Sequence, residues 1–115
     1  MSNYIEVTTA PLDISTALAW LKESPSGVGA LVSFTGLVRE LDDAELESME
    51  LEHYPGMTEK ALENITAQAR ERWPLKRVWI VHRVGQMRLA DEVVQVAVSS
   101  AHRKAAFEAA SFIMD

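Results

Sequence analysis

Three potential cations in a row, His102, Arg103 and Lys104, stand where an alternating strand pattern gives way to a helical one. Val94, Val96 and Val98 lead through Ser99, Ser100 and Ala101 into them, and from Ala105 the apolar residues recur at helical spacing. The start of a helix carries partial positive charge and backbone N–H groups without intrahelical acceptors, so a cation there costs roughly 0.3–1 kcal/mol. A bound anion removes the conflict. Pointing Arg103 and Lys104 into water, where salt screens them, does so too. A second group, Phe34, Thr35, Gly36 and Arg39, closes an earlier strand. The Arg39 guanidinium is always charged, and its planar fork suits phosphate or carboxylate. Gly36 either admits a ligand to the backbone or marks a bulge. If the two strand ends meet, Arg39, His102 and Arg103 make one anion clamp.

Other reactive residues point to less. His53, between Glu52 and Tyr54, and His82, in a mainly apolar run, read as hydrogen-bonded structural histidines. Neither stands in a metal-ligand spacing such as H-E-x-x-H, so no metal is expected. Ser99 and Ser100 lie beside His102, yet there is no G-x-S-x-G elbow and no orienting acid, which argues against a hydrolase. The chain has no cysteine. Disulfides, thiolate metal sites and Cys nucleophiles are thereby excluded, and any sulfur chemistry must use sulfur brought from outside.

The elements that position these groups fit one domain over residues 1–115, with 48% hydrophobic residues to supply a core. The net charge is −6 and the 11 Lys and Arg residues are scattered, which argues against a nucleic-acid footprint. A cationic pocket in an acidic protein can still capture a small anion, because the field in a cleft follows nearby charges. Nothing resembles a signal segment or an apolar run of ~20 residues, so a cytoplasmic protein is expected. The pattern predicts a strand over 3–9, a short helix capped by Asp13, and a strand from Ala30 that ends around Gly36 to Arg39. A second strand through Met49, Leu51 and His53 is expected to hairpin with it across the acidic stretch 40–47. A helix follows over 58–73, stopped by Pro74, then a strand with Val78, Ile80 and His82 that exits at Gly85. The valine strand and a last helix complete the series. In that helix Ala105, Ala106, Ala109, Ala110 and Ile113 form the stripe, widened by Phe107, Phe112 and Met114. This order suits an α+β sandwich with a largely antiparallel sheet and its helices on one side.

Four ordered stretches resemble the large, catalytic subunit of molybdopterin synthase: Phe34-Thr35-Gly36-Leu37-Val38-Arg39, 51–57 (Leu-Glu-His-Tyr-Pro-Gly-Met), His82-Arg83-Val84-Gly85, and 99–109 with Ser99-Ser100-Ala101-His102-Arg103 and Phe107-Glu108-Ala109. The resemblance implies an α/β-hammerhead fold and a homodimer, with a small ubiquitin-like subunit at each end to make a heterotetramer. That subunit carries a thiocarboxylate on its Gly-Gly C-terminus. Two such sulfurs go to cyclic pyranopterin monophosphate, building the dithiolene of molybdopterin, with no cofactor of the protein's own. By position, Arg39, His102 and Arg103 would bind the anionic substrate, Phe34, Leu37 and Val38 would shape the pocket wall, and His102 would assist proton transfer. The family's last helix leads to a segment with two functionally important lysines, which Lys22, Lys60, Lys76 and Lys104 do not match. Ending at Asp115, the chain is expected to be C-terminally truncated and to form little molybdopterin by itself. The alternative is a non-catalytic module that binds a ubiquitin-like partner or a small phosphorylated ligand.

Overall fold

The computed structural model describes residues 2–23, 26–39, 48–51 and 57–114. The elements are β1 (Ser2–Thr8), α1 (Ile14–Lys22), β2 (Ala30–Leu37), β3 (Ser48–Leu51), α2 (Met57–Arg72), β4 (Leu75–Arg83), β5 (Gly85–Arg88), β6 (Glu92–Ser100) and α3 (Arg103–Met114). A four-stranded sheet runs in the order β1-β4-β6-β2, and β3 and β5 form a separate two-stranded ribbon. Only β1 and β4 are parallel, while β4 with β6, β2 with β6 and β3 with β5 are antiparallel. This is the expected α+β, hammerhead-like fold.

The helices, however, lie on both faces of the sheet. Val78, Ile80, Val96 and Val98 pack against Ala69 of α2 and Ala106, Ala110 and Ile113 of α3. On the other face Trp79, Val81 and Ala97 pack against Ala17 and Leu21 of α1. The physical reason is legible in β4, where Val78, Trp79, Ile80 and Val81 are apolar in succession and all buried. A strand buried on both sides needs a covering layer on each.

Among the described residues β3 pairs with β5 and not, as expected, with β2, Ser48 lying opposite Arg88 and Leu51 opposite Gly85. The four-residue β5 is too short to show a period. It begins at Gly85, whose φ of +94° is a conformation that favours glycine and that lets the chain turn directly out of β4. His53 and the acidic stretch 40–47 lie outside the described residues.

Local rules account for the helices. The Asp13 carboxylate accepts the N–H groups of Ser15 and Thr16, capping α1 as expected. Pro74 follows the end of α2 at Arg72. The small residues Ala105, Ala106, Ala109 and Ala110 are buried and bring α3 down onto β6 and β2, whereas Phe107 points outward, 59% exposed.

Candidate active site

The turn from β6 into α3 is built on two buried serines. The Ser99 hydroxyl accepts the Arg77 backbone N–H at 3.0 Å. The Ser100 hydroxyl donates to the Pro74 carbonyl at 2.8 Å and accepts the His102 N–H at 3.2 Å. Neither serine is exposed, and both are committed to backbone partners, so neither serves as a nucleophile. Gly29 closes the turn from outside. Its N–H donates to the Ser100 carbonyl at 2.9 Å, and a Cβ at this position would stand 2.5 Å from the Ala101 carbonyl oxygen. The His102 carbonyl accepts the Ala106 N–H at 3.1 Å, the first turn of α3. His102, Arg103 and Lys104 are all exposed around the helix start, which is where an anion is favoured.

The exit of β2 is shaped differently. The register slips where Gly36 faces Val94 and Leu37 faces Glu92, so the extra residue, Val93, lies on β6 and not at Gly36, where a Cβ would stand 2.9 Å from the Val94 side chain. Val38 is then held on both sides, its N–H by the Asp91 carbonyl at 2.9 Å and its carbonyl by the Ala90 N–H at 2.8 Å. This buries Val38 and leaves Leu37 and Arg39 exposed on either side of it. On the α2/α3 face of the sheet, Phe34, His82, Val94, Ile113 and Met114 line a cleft of about 250 Å³. Phe34 and Met114, each 40% exposed, give it an apolar wall open to a partner.

One chain does not bring the two cationic groups together. Ala30 pairs with Ser100 at one end of the β2–β6 ladder and Leu37 with Glu92 at the other. Seven residue steps at about 3.3 Å separate these ends by more than ~20 Å. Arg39 leaves from the Glu92 end and His102 and Arg103 from the Ser100 end, so a clamp of all three within a single chain is excluded. Antiparallel pairing is the reason: the end of one strand lies beside the start of its neighbour.

The MoaE protein family matches residues 7–115. The molybdopterin synthase catalytic subunit of Pasteurella multocida is 53% identical over 112 residues, covering 96% of this chain and 74% of that protein. The chain belongs to the MoaE family. Among solved structures, the MoaE protein of Burkholderia ambifaria superposes with a TM-score of 0.89 at 45% identity, over 97% of this chain and 74% of that one. The molybdopterin synthase structure from Staphylococcus aureus gives 0.84 at 35% identity, over 95% and 79%.

In this MoaE chain, of the site residues that the sequence singles out, Phe34 lines the cleft, Leu37, Val38 and Arg39 follow it at the β2 exit, and His102 and Arg103 stand at the far end of the ladder. His82, read as structural, lines the cleft wall. Met114 and Ile113 line it as well, although they were read only as helix stripe. A signal for His82 was present, since it shares strand parity with Val78 and Ile80, as Phe34 does with Val32. Among the described residues, no group of three His, Asp or Glu side chains could hold a metal ion.

Proposed function

We propose that this chain is the sulfur-transferring subunit of a molybdopterin synthase, moving sulfur from the thiocarboxylated C-terminus of a small ubiquitin-like carrier to cyclic pyranopterin monophosphate in the cytoplasm. The observation that carries this reading is the family membership over 7–115 joined to a cleft that such a tail could enter. Phe34 and Met114 offer apolar contact to an extended segment, and Arg39 leaves the adjacent strand end as a fork for an anionic group. The absence of cysteine agrees with sulfur arriving on the carrier. His102 and Arg103, at the far end of the ladder, reach the same substrate only if a second copy presents them. A homodimer whose pockets combine Arg39 of one chain with His102 and Arg103 of the other therefore fits the geometry, with a carrier at each pocket completing a heterotetramer. His102, at the mouth of such a pocket, would then assist proton transfer.

The test supplies the protein with thiocarboxylated carrier and pterin and follows product in a single turnover. Molybdopterin is expected from a protein that carries the family's lysine-bearing segment, with loss on Arg39→Ala or His102→Ala. Carrier binding without product would overturn the catalytic reading in favour of a binding module.

A further inference from the structure

Arg83 belongs to one of the sequence stretches that marked the family, yet sulfur transfer gives it no work. By the alternation of β4 it lies on the α1 side of the sheet, with Trp79 and Val81, opposite the cleft of Phe34 and His82. With Gln86, Met87, Arg88 and Asp91 it lines a separate cleft of about 400 Å³. Its side chain is only 16% exposed, and its Nε is buried without a hydrogen-bond partner. The Asp91 carboxylate stands 3.8 Å from Nη1, within reach of an ion pair but too far for a hydrogen bond. That carboxylate is also engaged elsewhere, accepting the Arg88 N–H at 2.8 Å. A guanidinium so withdrawn from water and so poorly matched by acceptors is costly unless something else meets it.

We propose that this cleft is an oxyanion site, binding a small molecule through a phosphate or carboxylate group. Among the described lining residues two guanidiniums stand against one carboxylate, a net positive charge. The Nε and Nη edge of Arg83 offers parallel donors at the spacing of two oxygens on one phosphorus or carbon. Arg88 supplies the second charge from the rim, where it is exposed. The site lies on the opposite face of the sheet from the cleft of Phe34 and His82, so anion binding there and the proposed reaction are read out separately.

The experiment follows arginine Nε–H resonances by NMR while inorganic phosphate, and in a parallel series acetate, is added at constant ionic strength. The Arg83 resonance, assigned by its loss in Arg83→Lys, is expected to shift saturably. A response to phosphate alone names a phosphorylated ligand, and one to acetate alone a carboxylate. Arg88→Gln, an exposed substitution, should weaken binding about tenfold, as loss of one charged donor does. Asp91→Asn should tighten it by removing the competing charge. No saturable shift with either anion, or the same affinity in Arg88→Gln, would overturn the proposal.

Discussion

Ser99 and Ser100 show how little a residue's reactive potential says before its partners are known. Next to His102 they have the composition of a nucleophile and base, but the structure spends both hydroxyls on backbone groups that fix the turn into α3. Arg39 and Arg103 are the reverse case, exposed and so ready for a ligand. Arg39→Ala and Arg103→Ala should each weaken binding of the pterin monophosphate by about 1.5–3 kcal/mol, the range for a hydrogen bond to a charged group. Calorimetry on the two variants checks this, and unchanged affinity in both removes these arginines from the site. Their residue types were legible because charge at a strand exit and at a helix start is unusual. His82 was not, because half-buried histidines in apolar strands are mostly structural and only the tertiary fold opens a cleft beside this one.

At the scale of elements, local chemistry worked where it was self-contained. The Asp13 cap is an example: hydrogen bonds from the Thr16 side chain and from the Thr16 and Ser15 backbone hold its carboxyl below the ordinary carboxylate range. A lowered folded value means a contribution present above the unfolded value and lost as pH falls through the folded one. Asp13→Ala should therefore lower Tm by a few degrees near neutrality, and the gap should narrow in acid below about pH 4. Thermal melts across that range test it, and a constant gap would count against the charged cap. The turn that holds Val38 makes a second case. Ala90 sits at φ +71°, where a Cβ is strained and glycine is not. Ala90→Gly should stabilise the protein by up to about 1 kcal/mol, the strain relieved less the added freedom of the unfolded chain. Denaturant unfolding measures it. By contrast β5 and its pairing with β3 were hidden, since four residues carry no period and a ribbon partner is chosen by distance in space, not along the chain.

The whole molecule decides whether the site is one chain's or two. Its cationic groups leave opposite ends of the β2–β6 ladder, so the proposed pocket needs a second copy. Light scattering should accordingly give a dimer mass at micromolar concentration. Complementation is a sharper test: Arg39→Ala and His102→Ala are each inactive alone, but mixed and re-equilibrated they should regain about a quarter of native activity, because half the dimers then hold one intact pocket. No recovery would place both groups in separate roles. From the sequence alone came the types of the elements other than β5, the Asp13 and Pro74 boundaries, the missing cysteines and the family likeness, all legible without knowing which surfaces meet. The tertiary structure alone decided that helices cover both faces, that β3 meets β5, that Arg39 and His102 lie apart, and that Arg83 is half-buried with its Nε short of an acceptor. Those depend on which surfaces meet across the chain, and long-range burial and pairing are not written in any local pattern of residues.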